Sequence, residues 1–324
     1  MFSSIRMAKK SIYLEMYIFQ NDTKGFDFLA ALEEKAREGV RVIVIFDAFG
    51  SSGLTSDEAR SLRAAGAEVL FFSYWFCRLH RKILIIDEQT VFLGGVNISG
   101  QYAPWKDLQV RMSGKRFVAS VVRSFGKMYC ECKGKDWEIF QKYEKKLSLR
   151  KVGAWFLEHG VLGKFSELRR HYEESISSAK KSIVLFTPYF VPRRWLIAKL
   201  HGAMLRGVRV EIIIPEKTDH LRGVTYFYLA ELAKLGAVCY LLPGMNHAKV
   251  MLVDGEKATV GSQNLDPLSF DWNAEAGVVL EGKKIIYDLE KILAGWKSES
   301  LLFTTDMYKP HRYDAFLSFL SRWM

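Results

Sequence analysis

The strongest constraint on how this chain folds is that it repeats itself once. Lys10-Ser11-Ile12 returns as Lys181-Ser182-Ile183, and Gly39-Val40-Arg41-Val42 returns as Gly207-Val208-Arg209-Val210. Gly66-Ala67 returns as Gly236-Ala237. His80, Lys82, Asp87 and Asn97 return as His247, Lys249, Asp254 and Asn264, each 167 residues later. Solenoids and propellers repeat over about 20–50 residues, so a period this long describes two homologous domains. The expected division is 1–150 and 151–324, joined through roughly Gly134 to Phe165.

Each half reads alike. A short strand, Ile12–Phe19 or Ile183–Phe186, leads to a helix, Phe26–Glu38 or Leu196–Arg206, and each helix runs out at a glycine suited to its C-terminal turn. The next strands, Val40–Phe46 and Val208–Ile214, are almost wholly apolar. Strands apolar on both faces belong inside a sheet covered by helices. A further helix and strand follow over Asp57–Phe72 and Tyr226–Leu242. This alternation predicts an α/β fold: two α/β/α sandwich domains with mixed, largely parallel sheets and a site at their interface. The opening helix of the second half starts near Phe165, eighteen residues before Ile183, whereas the first half offers eleven residues before Ile12. The first domain is therefore expected to have a clipped opening helix.

Two motifs stand on these strands. The first is His80-Arg81-Lys82 with four apolar residues and Asp87, then Gly94-Gly95-Val96-Asn97. The second is His247-Ala248-Lys249 with four apolar residues and Asp254, then Gly261-Ser262-Gln263-Asn264. Side chains alternate along a strand, so His and Lys two apart share a face. The apolar run anchors the strand, and Gly lets backbone approach a ligand closely. Facing each other across a pseudo-twofold axis, two imidazoles and two ammonium groups suit a phosphodiester. Lysine and asparagine would hold its non-bridging oxygens. One imidazole would attack phosphorus and the other would protonate the leaving alkoxide. Such a site needs no metal or other cofactor. The repeat also nominates a carboxylate to orient each imidazole: Asp107 and Glu275, 168 residues apart, each just ahead of an apolar strand.

At these residues the chain resembles the phospholipase D superfamily, whose signature is the duplicated His-x-Lys-x4-Asp motif. The resemblance covers nearly the whole chain. Glu15 with Tyr17-Ile18-Phe19, Gly94-Gly95-Val96-Asn97-Ile98-Ser99, Thr187-Pro188-Tyr189-Phe190-Val191-Pro192 and Asn264-Leu265-Asp266-Pro267-Leu268-Ser269 narrow it to bacterial cardiolipin synthases of the shorter type without membrane spans. The resemblance implies a catalytic set of His80, Lys82, Asp87, His247, Lys249 and Asp254, with the two aspartates as supports rather than proton carriers. It implies that His80 is the nucleophile and His247 the acid and then the base. It also implies that Glu275 orients His80 and Asp107 orients His247 across the domain interface. Asn97, Asn264, Gly95, Ser262, Glu15 and Tyr189 are the expected phosphate- and substrate-binding residues, with Tyr189 at the substrate entrance. Many relatives carry Arg-Ser where this chain has Leu268-Ser269.

The implied activity is transfer of a phosphatidyl group between phosphatidylglycerol molecules, with release of glycerol, peripherally on the inner face of a bacterial cell membrane. The alternative acceptor is water, which would make the chain a phospholipase or a nuclease. Charge is compatible with either reading: 47 basic against 36 acidic residues give +11, which attracts phospholipid headgroups or nucleic acid. Both motifs lie in one chain, so a monomer is sufficient for a complete site. A transmembrane helix needs about 18 consecutive apolar residues, and the longest run is six, Ala237–Leu242. Four cysteines fit a reducing compartment, and Cys77-x-x-His80 and Cys130-x-Cys132 lack the paired spacing of a zinc site. The helical stripe Phe117–Tyr129 is expected to pack on its own domain. The amphipathic tail Phe316, Leu317, Leu320, Trp323 suits either docking on the second domain or a membrane interface.

Overall fold

The structure, a computed structural model, describes residues 1–136, 140–141, 153–163, 167–217 and 221–309. The expected division at 150/151 and the amphipathic tail lie outside these residues.

The first half runs α1 (Phe2–Arg6), β1 (Ser11–Met16), α2 (Phe28–Arg37), β2 (Arg41–Asp47), α3 (Ser56–Ala64), β3 (Glu68–Phe72), β4 (Lys82–Ile86), β5 (Thr90–Gly94), β6 (Gln109–Ser113) and α4 (Lys115–Glu131). The second runs β7 (Ala154–His159), α5 (Glu167–Ser178), β8 (Ser182–Phe186), α6 (Arg194–Leu205), β9 (Arg209–Pro215), α7 (Arg222–Lys234) and β10 (Val238–Leu242). It continues with β11 (Val250–Val253), β12 (Lys257–Gly261), β13 (Glu275–Glu281), α8 (Lys283–Ser298) and β14 (Leu301–Leu302). Local chemistry sets the boundaries. Asp27 caps α2 by accepting from the Ala30 N–H at 2.8 Å, and Thr55 with Glu58 closes a capping box at α3. Gly39 and Gly207 follow α2 and α6 at φ +85° and +83°, a left-handed turn that glycine adopts without steric cost.

One sheet is ordered β3-β2-β1-β4-β5-β6 and the other β14-β10-β9-β8-β11-β12-β13-β7. Both are mixed, but the parallel pairs are fewer than expected. Only β1–β2, β2–β3, β8–β9 and β9–β10 are parallel, and the other eight pairings are antiparallel. The reason lies in the motif strands. β4 and β11 turn straight back into β5 and β12 through hairpins at Asp87 and Asp254, without an intervening helix. Tight connections of that kind join antiparallel strands.

The core is layered. The outer face of the first sheet packs on α1–α3, and the outer face of the second on α5–α7. A third cluster joins the inner faces of both sheets through α4 and α8. The Phe117–Tyr129 stripe thus faces this middle layer, with Val121, Val122 and Phe125 fully buried. Cys239 is likewise core. No helix among the described residues is long and apolar enough to cross a membrane.

Candidate active site

Two reciprocal backbone crossings tie the halves together. The His80 N–H donates to the Ala274 carbonyl at 3.0 Å, and the Ala274 N–H donates to the Arg78 carbonyl at 2.9 Å. The repeat-related pair is the His247 N–H to the Lys106 carbonyl at 2.7 Å, and the Lys106 N–H to the Met245 carbonyl at 3.0 Å. Each crossing sets one residue of the opposite half beside a motif histidine. Those residues are the carboxylates that the repeat singles out. His80 Nδ1 lies 3.0 Å from Glu275 Oε1, and His247 Nδ1 lies 2.8 Å from Asp107 Oδ2. A carboxylate can only accept, so each Nδ1 carries the hydrogen and Nε2 keeps its lone pair for the cleft.

Alternation along β4 and β11 places each lysine on the face of its histidine. Lys82 Nζ donates to the His80 carbonyl at 2.7 Å, and Lys249 Nζ donates to the His247 carbonyl. Both lysines are fully buried beneath the imidazoles. Burial pushes Lys82 down to about 8, against the pull of Glu275 and Asp107. Burial lowers Lys249 well below the ordinary lysine range, and the Lys82 charge adds to the effect. Burial also lowers His80, and it takes His247 to about 3 with help from Lys249. Glu275 is raised by burial, but His80, Lys82 and the Ser262 hydroxyl together outweigh that and hold it low. Burial therefore disfavours the charged form of both imidazoles and both lysines. A phosphodiester anion in the cleft would favour it in all four.

The two histidines line one cleft of about 580 Å³. Asn97, Asn264 and Tyr189 line it too. Asn97 Oδ1 accepts from the Ile18 N–H at 3.3 Å, while Asn264 Oδ1 is buried with no hydrogen-bond partner among the described residues. Ser262 has a different position from the one expected. Its hydroxyl donates to Glu275, as does that of Ser269 at 2.8 Å, so Ser262 acts on the carboxylate and not on a ligand.

Gly95 also serves a carboxylate. A side chain there would meet Asp107 Oδ1 at 2.2 Å, so the space that glycine leaves is filled by Asp107 and not by a phosphate. Glu15 is not in the cleft at all. It is fully buried on the opposite face of β1, 3.6 Å from Arg81, and burial raises it to about 7. The cause is strand alternation: Arg81, between His80 and Lys82, points the other way and takes Glu15 as its partner.

Asp87 and Asp254 stand at the far ends of β4 and β11. Asp87 accepts from the N–H groups of Lys9, Lys10 and Ser11 at 2.6–3.1 Å, and Asp254 from those of Lys180, Lys181 and Ser182 at 2.7–3.1 Å. They staple the chain leading into β1 and β8 and do not reach the reacting groups. That removes them from the catalytic set and leaves them as supports.

Two aromatic residues complete the site. The Tyr17 ring meets His80 edge-on at 4.7 Å and lies 4.9 Å from Lys82 Nζ. The Trp105 ring lies 5.3 Å from that of His247. Tyr17 was legible only as part of a family segment. Trp105 sits in an irregular turn with no motif to single it out, two residues before Asp107.

The sequence matches the family model described as "Cardiolipin synthase, PLD-like domain" over residues 1–129 and 172–296. It is 33% identical over 344 residues to the major cardiolipin synthase ClsA of Bacillus subtilis, covering 94% of this chain and 68% of that protein. It is 32% identical over 324 residues to a cardiolipin synthase of Clostridium perfringens, covering 90% of this chain and 66% of that one. The chain thus spans about two thirds of the length of these curated relatives. Among solved structures it resembles the phosphatidylserine synthase of Haemophilus influenzae, with a TM-score of 0.78 at 18% identity over 99% of this chain and 90% of that one. At that identity the likeness speaks for the fold.

Proposed function

The chain belongs to the phospholipase D-like cardiolipin synthase family, and we propose that it is itself a cardiolipin synthase working by double displacement at His80 and His247. One observation carries the reading. Two histidines, each held by a carboxylate from the opposite half and each backed by a buried lysine that bonds its carbonyl, line a single cleft.

In the first step His80 Nε2 attacks the phosphorus of a phosphatidylglycerol. The P–O bond to the headgroup glycerol breaks, and His247, which takes up a proton at Nε2 when the anionic phosphodiester enters the cleft, gives that proton to the leaving oxygen. Glycerol leaves and a phosphatidyl group stays on His80. In the second step neutral His247 takes the proton of a free hydroxyl on another phosphatidylglycerol. That oxygen attacks phosphorus, the P–N bond breaks, and cardiolipin departs with His80 restored. Lys82, Lys249, Asn97 and Asn264 stabilise the charge on the non-bridging oxygens. Glu275 and Asp107 hold the tautomers and stabilise each imidazolium as it forms. The phospholipid substrate sets the place of work, peripherally on the inner face of a bacterial membrane. One chain supplies every group named, so a monomer suffices.

The test is purified protein with phosphatidylglycerol vesicles and excess EDTA, with the lipid products separated by chromatography. Cardiolipin and glycerol in equal amounts are expected. Phosphatidic acid alone would make the acceptor water and the chain a hydrolase.

A further inference from the structure

The repeat has one unequal stretch. Four residues, 243–246, separate β10 from His247, whereas seven, 73–79, separate β3 from His80. The longer loop carries Tyr74-Trp75-Phe76, which are 54%, 89% and 70% exposed. Beside it Phe49, in the loop after β2, is 66% exposed. These aromatics are held out in solvent by a built support. Buried Asp47 accepts from the Phe49 N–H at 3.0 Å, the Gly50 N–H at 2.8 Å and the Leu79 N–H at 2.7 Å, tying both loops to one carboxylate. Arg78 braces the tip. Its guanidinium lies 4.4 Å from the Phe49 ring and donates to the Tyr74 carbonyl at 3.2 Å.

The patch is continuous with the active site. Phe49 and Phe76 wall the cleft that holds His80 and His247, and the second half adds Leu221 and Leu268, 39% and 49% exposed, to the same wall. Whatever covers this collar must also feed the cleft. Trp, Tyr and Phe with an arginine among them suit the headgroup region of a bilayer, where ring faces enter the acyl boundary and the cation meets anionic lipid. Leu221 stands next to exposed Arg222, which adds a second cation at that side.

Resting on the lipid reading above, we propose that the Tyr74–Phe76 loop and the apolar collar around the cleft seat the mouth directly on an anionic bilayer. A phosphodiester then reaches His80 without its acyl chains crossing water.

The experiment pairs two readouts on Trp75→Ser, a residue outside the cleft wall. One is sedimentation with sucrose-loaded vesicles of equimolar phosphatidylglycerol and phosphatidylcholine. The other is turnover of dihexanoyl phosphatidylglycerol below its micelle concentration. Losing one deeply placed Trp should weaken vesicle binding by about tenfold, while turnover of the monomeric lipid stays within about twofold of the parent. Trp75→Phe should keep most of the binding, as an interfacial aromatic would. Unchanged vesicle binding in Trp75→Ser overturns the proposal. So does light scattering that shows a parent dimer broken by Trp75→Ser with vesicle binding intact, since a second copy would then cover the collar. If neither protein turns over any phosphatidylglycerol but Trp75→Ser still loses the vesicles, the docking surface stands and the cardiolipin synthase reading falls.

Discussion

The two half-sites are the same in geometry and different in surroundings. Both histidines hold a carboxylate of the opposite half at about 3 Å, and both lysines bond the carbonyl of their own histidine. Glu275 is fully enclosed and accepts from two serine hydroxyls besides His80. Asp107 keeps 11% of its side chain exposed and takes the backbone N–H of Leu108 at 2.7 Å instead. His80 has Tyr17 at its edge, and His247 has Trp105. Behind His80 lies the buried Arg81–Glu15 pair, and behind His247 the apolar Ala248. Duplication thus supplied the positions, and divergence of the neighbours gave each histidine its own environment. That difference is what two distinct roles in one reaction require.

The largest effect should come from breaking the role assignment. His80→Ala is expected to lower phosphatidyl transfer by about 10⁴-fold or more, as loss of a nucleophile does. His247→Ala should cost about 10²–10⁴-fold on the natural lipid. A 4-nitrophenyl phosphodiester has a leaving group that needs no proton, so release of 4-nitrophenol should be restored for His247→Ala and not for His80→Ala. Rescue of His80→Ala instead would exchange the two roles.

Next come the orienting carboxylates. Glu275→Gln should reduce kcat by about 10²–10³-fold, because a sealed network of three donors loses its charged acceptor. Asp107→Asn should cost about tenfold, because water can partly replace the carboxylate there. Equal losses would mean that enclosure does not distinguish the two sides.

The lysine beneath His80 gives a pH signature. Burial holds Lys82 at about 8. It is charged below that pH and loses its charge as pH rises through it. kcat/KM, which reads the free enzyme, should therefore fall above about pH 8 by about tenfold per pH unit. Lys82→Arg keeps its charge and should carry whatever activity it retains further into alkali. A profile flat up to pH 10 would remove Lys82 from charge stabilisation.

The smallest effect concerns stability and belongs to one half alone. Glu15 is raised by burial to about 7, so the folded protein binds its proton more tightly than the unfolded chain does. The stability that this proton contributes is complete below the ordinary carboxylate range and is lost as pH rises through about 7. Between about pH 5 and pH 8 the protein should lose on the order of 2 kcal/mol in urea unfolding, and Glu15→Gln should flatten that slope. An unchanged slope would place the titration elsewhere.

Much of this arrangement is legible in the sequence. The repeat fixed the pairing of motifs, the strand period set His and Lys on one face, and the 168-residue offset picked out Asp107 and Glu275. What sequence left out depends on which face a side chain takes and on what fills the adjoining space. Glu15 sits beside a family segment, which groups it with the substrate residues, yet its parity on β1 turns it toward Arg81. Gly95 reads as room for a ligand, and the room is taken by Asp107, twelve residues further along the chain in a turn that no pattern describes. Ser262 stands where its repeat mate has no side chain, so the repeat could not disclose its bond to Glu275. Tyr74-Trp75-Phe76 carries no period, and only its unequal length against 243–246 marks it.

The reciprocal crossings at His80 and His247 make catalysis a property of the contact between halves. Separating the two sheets by a small rotation would leave each of them intact and strip both imidazoles of their partners at once. In a denaturant titration, turnover would then vanish while far-ultraviolet ellipticity was still unchanged, so that activity measures the closed fraction of the molecule. By the same logic, mixing a His80→Ala chain with a His247→Ala chain should give no complementation unless the halves exchange between molecules. The enzyme is thereby its own gauge of how firmly its duplicated parts hold together.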